Sequence, residues 1–377
     1  MKKILKIVSL MLISFALFAC SNQEDTPNGD TNNDTPNDQE PIFDNGDEND
    51  NDHENDDEDD IDQTMLAEEW SWYFSSSKGN TSGNVNNGGR VTHDFHEKLH
   101  YISSNQKLFY FNPETNQKGL LYSFASGSAT HLNTYQEYLY FIHDENGELY
   151  SYHLTENTLE RRLEEGEQDL FFLHRIDNRI HVLHHYNNTT QWGHYLPSYN
   201  GISGKISSIT QFSEYGNRVL LKANDSLTIQ LRDAGQAAGS TWVNFETAHQ
   251  AKEIKQFLYL NYNQSYQNNV ALIIETENHS GLYMYYGAEE MPLTLIKSGA
   301  IDHFSNINFD STYVYFLYQN TFYRFVYDDP ETLEAIMTLS GNIVEINIIN
   351  HWIYYRIENS SIVYQVHPDT KDITPFE

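Results

Sequence analysis

The chain has 377 residues and a formal net charge of −32 at pH 7, from 54 acidic against 22 basic residues. Charge of that sign repels a phosphate backbone and argues against nucleic acid as a partner. The single cysteine excludes any intramolecular disulfide, so whatever folds here is held by its core alone.

Lys2, Lys3 and Lys6 open the chain, and an uncharged apolar run follows from Ile7 to Phe18. The run is shorter than the roughly 20 apolar residues that span a bilayer. It has the proportions of a signal-peptide core and ends on the small residue Ala19. Leu17-Phe18-Ala19-Cys20 resembles the lipobox at which bacterial lipoprotein signal peptides are cut. The resemblance implies that residues 1–19 are removed and that Cys20 becomes the mature N-terminus, carrying a thioether-linked diacylglycerol. It also implies a location at the cell membrane, lipid-anchored on the extracytoplasmic face. Cys20, the one cysteine, stands where lipidation needs it. No later stretch of about 18 apolar residues offers a membrane span.

Residues 20–63 read as an acidic, disordered linker. Of the 54 acids, 18 fall between Ser21 and Gln63, without a Lys or Arg and with few large apolar side chains, Ile42 and Phe43 among them. Like-charge repulsion with nothing to bury cannot offset ordering entropy. Three of the 22 bases lie in the leader, so the remainder keeps a net charge near −17. Clustered carboxylates suit calcium, but a specific loop needs fixed ligand spacing about a turn-forming glycine. Within residues 44–62 Gly46 is the only glycine and the acids after it have no such period, which favours diffuse cation condensation over a defined site.

Residues 64–377 are expected to form one all-β domain. A unit of aromatic and β-branched strand, turn, and second aromatic strand begins at Leu99, Tyr138, Arg179, Arg218, Val270, Tyr313 and Trp352. Most steps are about 40 residues, the period of a β-propeller blade. Tyr138-Leu139-Tyr140-Phe141 and Tyr313-Val314-Tyr315-Phe316 are apolar on both faces, as strands covered by a neighbour on each side must be. The expected fold is a β-propeller of seven blades, or six if the long step from 218 to 270 marks an irregular unit; a solenoid or stacked sandwich is the alternative. Asn146-Gly147 is the strongest hairpin signal, with both central positions expected at positive φ. Asn105, Asn320 and Asn359 occupy the equivalent place in other copies. Trp70-Ser71-Trp72-Tyr73-Phe74 has no partner in its own copy, and is expected to dock beside the C-terminal strands and close the ring.

One segment is more specific than the period. Gly79-Asn80-Thr81-Ser82-Gly83-Asn84-Val85-Asn86-Asn87-Gly88-Gly89 resembles the GN-x-x-GN-x-x-NGG signature of a family of bacterial domains of unknown function, themselves similar to the low-density-lipoprotein-receptor β-propeller. The resemblance covers roughly Trp70 to Glu377 and implies the same fold. This chain departs from the pattern in its middle copies, and in having NPETN after Phe111 and HLTEN after Tyr152 where a glycine-rich turn is usual. Four glycines and four asparagines in eleven residues mark a backbone of unusual φ and close approach. The preferred reading is structural: asparagine side chains bonding exposed backbone groups of neighbouring blades. A ligand-binding lip is the other.

Motifs for chemistry are sparse. No G-x-S-x-G, H-E-x-x-H or phosphate loop occurs, and no catalytic residue, cofactor or metal ligand is assigned. His181, His184 and His185 cluster, but strand geometry divides them between two faces, and solvent-facing or blade-edge positions are expected. Trp192, Tyr195, Tyr199, Tyr262 and Tyr266 lie in Asn- and Gly-rich stretches that could form rim loops suited to sugars or peptides. The expected function is a monomeric, non-catalytic binding or scaffolding module for an extracellular protein, peptide or glycan. The alternative is an extracellular hydrolase or lyase with an active site built from propeller loops. An empty or asparagine-lined channel would favour binding, and a tight cluster of perturbed carboxylates or histidines at the central channel the enzyme.

Overall fold

Runs of Tyr, Phe, Ile and Val favour pleated, half-buried strands, and Asn- or Gly-bearing turns between them favour antiparallel hairpins. The computed structural model describes residues 80–377 apart from the segments 95–97, 164–169, 177–178, 187–188, 197–200, 216–217, 224–225, 234–239, 263–267 and 288–291. The leader 1–19, Cys20, the acidic stretch to residue 63 and the expected strand at 70–74 lie outside the described residues.

The strands form seven sheets, each with four antiparallel strands in chain order. Blade 1 runs from Val91 to Ser123, blade 2 from Ala129 to Arg161, blade 3 from Leu170 to Ser207 and blade 4 from Ile209 to Asn244. Blade 5 runs from Ala251 to Ser298, blade 6 from Phe304 to Thr338 and blade 7 from Ile343 to Phe376. Each blade packs on the next, and the inner strand of blade 7 adjoins that of blade 1. The chain is a seven-bladed β-propeller. The seven repeat starts fall on the second strands, which begin at His100, Tyr138, Arg179, Arg218, Asn268, Tyr313 and Trp352. The long step before blade 5 holds a short helix, Phe245–His249, and an inner strand of twelve residues, Ala251–Tyr262.

Successive residues of a strand point to opposite faces, so the two faces of one blade meet different neighbours. Leu139 and Phe141 pack with Tyr101 and Leu108 of blade 1, whereas Tyr140 and Ile142 pack with Leu173 and Val182 of blade 3. Blade 6 repeats the division, with Val314 and Phe316 toward blade 5 and Tyr315 and Leu317 toward blade 7. This is why the second strands lack polar alternation.

Two turn expectations need correction. Residues 144–147 form a four-residue loop, not a two-residue one, and only Gly147 takes positive φ, at 65°. In the loop before Thr321 the positive φ falls on Gln319, not Asn320. Asn105 and Asn359 do adopt the left-handed region, at 49° and 60°. In NPETN and HLTEN the closing asparagines, Asn116 and Asn157, both sit at φ 55° and supply what a turn glycine would.

Blade 7 has its full four strands from residues 343–376, and within the described residues no strand is exchanged between blades 1 and 7. Their seam is joined by side-chain and backbone hydrogen bonds. Val363 N donates to Ser104 Oγ at 2.9 Å, Ser104 Oγ donates to the Phe376 carbonyl, and Asn105 N donates to Ser361 O at 2.9 Å.

Candidate functional site

The glycine- and asparagine-rich segment fills the propeller axis. Thr81 caps a five-residue helix, α1 (Ser82–Asn86), by accepting a hydrogen bond from Asn84 N. The helix touches the inner strands of blades 2 to 7 and then leads into blade 1. Gly83 is required by proximity, because a Cβ there would lie 2.2 Å from Asn308 Oδ1 and 2.9 Å from Asn308 Cα. Gly89 is required twice over: its φ is +56° and a Cβ would lie 2.7 Å from the His131 Cα.

Asparagine carries both donor and acceptor, so it can bond the inner-strand backbone groups that a helix cannot pair. Asn84 Nδ2 donates to Ile348 O at 2.9 Å, while its Oδ1 accepts from Ile348 N and Asn308 Nδ2. Asn80 Nδ2 donates to Val91 O and Leu132 O, at 2.7 and 2.9 Å. Asn87 Nδ2 donates to Ile307 O at 2.9 Å. The structural reading of this segment therefore holds: its amides bond the backbone of blades 1, 2, 6 and 7.

A second set of polar residues, not singled out in the sequence, completes the hub. The fifth residue of the inner strand is Asn133 in blade 2, His174 in blade 3, Ser213 in blade 4, Asn308 in blade 6 and Asn347 in blade 7. Four of them latch one blade to the backbone of the next. Asn133 Nδ2 donates to Leu173 O, Ser213 Oγ accepts from Tyr259 N, and Asn308 Nδ2 donates to Ile346 O. Asn347 Oδ1 accepts from Val91 N at 2.9 Å, across the seam. A polar residue after an aliphatic or aromatic one, recurring at the blade period, was the available signal.

His174 is fully buried, with Ser82 Oγ and Glu214 Oε1 both near its Nε2, at 3.2 and 3.0 Å. Its Nδ1 faces Asn133 Oδ1 at 3.3 Å. A charge-relay triad places serine and carboxylate on opposite ring nitrogens; here they share one. The described residues contain no group of three or more His, Cys, Asp or Glu placed to hold a metal ion.

The expected surface positions are corrected. His181 and His184 are fully buried within blade 3 and only His185 is exposed; residues 180–184 are buried on both faces of their strand, so either face is covered. Trp192 and Tyr195 are strand residues, 3% and 0% exposed, not rim-loop platforms. Tyr262 ends a strand, and Tyr199 and Tyr266 lie outside the described residues.

At one mouth of the axis lies a cavity of about 560 Å³, with Asn86, Asn87 and Gly88 among its lining residues. Gln211, Gln256 and Asn306 line it too, together with one cation, Lys255, and one anion, Glu345. Glu345 is held by Arg90 Nε at 3.0 Å and Arg356 Nη2 at 2.8 Å, and Arg90 also pairs with Asp144 at 2.9 Å. Burial, then the Arg90 guanidinium and His174, push the His131 imidazole down to about 3.

His131 gives a pH prediction. The unfolded chain binds its proton near pH 6.5 and the fold resists it until about pH 3, so stability is lost as pH falls through that window. His131 keeps partial solvent contact, so the loss is about 2 kcal/mol by about pH 4.5. His131→Asn tolerates the native φ of 52° and should flatten the response. Urea midpoints measured near neutral pH and near pH 4.5 should converge for the variant; parallel losses in parent and variant would remove His131 as the source.

No family model matches the chain, and no curated protein matches it. Solved structures similar to it include a chain of the mitotic checkpoint complex, 10% identical over 76% of this chain and 85% of that one, with a TM-score of 0.47. The N-terminal domain of Nup159 is 9% identical over 81% and 92%, with a TM-score of 0.47. PorZ, a bacterial surface component of the type-IX secretion system of Porphyromonas gingivalis, is 10% identical over 74% of this chain and 36% of that one, with a TM-score of 0.47.

Proposed function

We propose that the protein is a non-catalytic binding or scaffolding module, anchored through lipid on Cys20 to the extracytoplasmic face of a bacterial cell membrane. The propeller stands at the end of the acidic tether 21–63 and presents its faces to an extracellular protein, peptide or glycan. The observation that carries this reading is the filled axis. Where a propeller enzyme could gather reacting groups, this one has a helix whose amides are spent on inner-strand backbone. The propeller fold accommodates a binding role in general terms, and the site has to specify it, since function resides in sites grafted on folds. The GN-x-x-GN-x-x-NGG segment acquires a physical role under the same reading, as the device that fills the hub of this chain.

The test compares the full-length parent with Cys20→Ala. The parent should enter the detergent phase and the variant remain in the aqueous phase. Both should retain the same ligands on an array of glycans and peptides, with each retained ligand recovered intact. A parent that stays aqueous removes the anchor, and a retained ligand that is cleaved on incubation removes the non-catalytic reading.

A further inference from the structure

We infer that the cavity at the mouth of the axis binds a small aliphatic monocarboxylate, either a free acid or the C-terminal end of a peptide. This deepens the binding-module reading and rests on it. The volume, about 560 Å³, lies within the roughly 300–1,000 Å³ usual for pockets that enclose small organic ligands.

Charge selects the anion. The lining carries one cation, Lys255, and one anion, Glu345. Glu345 is bound by Arg90 and Arg356, and Arg90 also binds Asp144, so two carboxylates and two guanidiniums neutralise one another. Lys255 has no carboxylate partner among the described residues. Its Nζ donates to the Ile301 and Asp302 carbonyls at 3.2 and 3.4 Å, which orient the ammonium without cancelling its charge. An ammonium has three N–H groups, so one is left to donate. The mouth thus holds one uncompensated positive charge, in a propeller whose net charge is near −17. A single charge is matched by a monoanion.

The groups around Lys255 suit a carboxylate, which only accepts. Asn87 Nδ2 donates to Ile307 O at 2.9 Å and Gln256 Nε2 donates to Asn87 Oδ1 at 3.1 Å, so the end of α1 stands against blades 5 and 6. Lys255 reaches across the same junction. Asn86, half-buried at that helix end, has a side-chain amide that bonds no described protein group. Ser305 Oγ accepts from Asn306 Nδ2 at 3.0 Å and keeps its own proton to give. Ammonium, amide and hydroxyl are therefore all able to donate. The rest of the wall sets the body of the ligand. Val344 is half-exposed in the lining, whereas Leu183, Phe257 and Ile343 are only 1%, 2% and 5% exposed. That is contact for a short aliphatic group, without a deep pocket for a large ring.

The test titrates full-length protein in nonionic detergent by calorimetry. The probes are 4-methylpentanoate and acetyl-Ala-Ala-Leu with a free carboxyl, each compared with its amide. The first represents a free acid and the second a peptide end, and whichever binds identifies the source. At least one acid should bind with Kd below about 1 mM, at least about tenfold tighter than its amide. Binding should weaken between about 50 and about 500 mM salt. Lys255→Gln keeps an amide donor for the Ile301 and Asp302 carbonyls but removes the charge, and Asn86→Asp sets a repelling carboxylate at the mouth. Each should weaken binding at least about tenfold with the melting temperature unchanged, while Lys255→Arg should still bind. Failure of both acids, equal binding of the amides, or undiminished binding by Lys255→Gln and Asn86→Asp overturns the assignment. A chain that retains ligands on the array of glycans and peptides yet binds neither acid loses this site and keeps the module reading.

Discussion

Replacing Asn84 with leucine is expected to cost about 2–4 kcal/mol of folding free energy. The side chain is fully buried. It donates to Asn80 Oδ1 at 3.0 Å and Ile348 O at 2.9 Å, and accepts from Ile348 N at 2.6 Å and Asn308 Nδ2 at 2.8 Å. Leucine matches the volume but leaves Ile348 N and Ile348 O unmatched away from water, while Asn80 Oδ1 keeps the Thr81 N–H and Asn308 Nδ2 keeps the Ile346 carbonyl. Each unmatched group costs about 1–3 kcal/mol, and partial rearrangement keeps the total near the lower end of the sum. Asn86→Ala is the reference: Asn86 is half-buried at the same helix's end, and its loss should stay within about 0.5 kcal/mol. Urea unfolding of both variants against the parent measures the difference. A loss below about 1.5 kcal/mol for Asn84→Leu would mean that the inner strands satisfy their own backbone groups and the helix is a passenger.

The contrast between Asn84 and Asn347 shows where sequence reasoning reached and where it ended. The repeat period follows from covalent connectivity, because each blade is one uninterrupted stretch of chain. Burial of both faces of Tyr138–His143 also shows directly in composition. The density of Gly and Asn around Asn84 announced a backbone device, since few other contexts need so many residues of that kind together. Asn347 was hidden because a single asparagine in a strand is ordinary, and its meaning lies in a bond to Val91, 256 positions away. The histidines of blade 3 were misplaced for a related reason: both faces of their strand are covered, which polar side chains there do not announce. The mouth cavity was invisible too. Gln211, Lys255 and Asn306 belong to blades 4, 5 and 6 and meet only because consecutive blades pack side by side.

Ending the chain at residue 372 is expected to lower stability by about 4 kcal/mol or more and to produce concentration-dependent aggregation. The removed strand, Ile373–Phe376, is the outermost of blade 7 and pairs with Val363–Val366. Its last aromatic, Phe376, is 2% exposed and packs against Phe109 and Phe111 of blade 1, with ring centroids 5.9 and 6.0 Å apart. Deleting a buried phenylalanine side chain alone costs about 3–5 kcal/mol. The truncation also removes the carbonyl that Ser104 Oγ bonds, and uncovers Val363–Val366 as an open sheet edge. Such an edge recruits strands from other molecules. Thr374→Ala, at an exposed position in the same strand, separates the loss of an edge from a local change and should melt like the parent. Unfolding midpoints and light scattering over a range of protein concentrations give the answer. If the truncated chain stays monomeric and melts with the parent, the aromatic seam is dispensable. Closure of the ring then falls to the hub, where Asn347 holds Val91 and Glu345 bridges Arg90 and Arg356. In that case Asn347→Leu, which leaves the seam aromatics in place, should become the more damaging change.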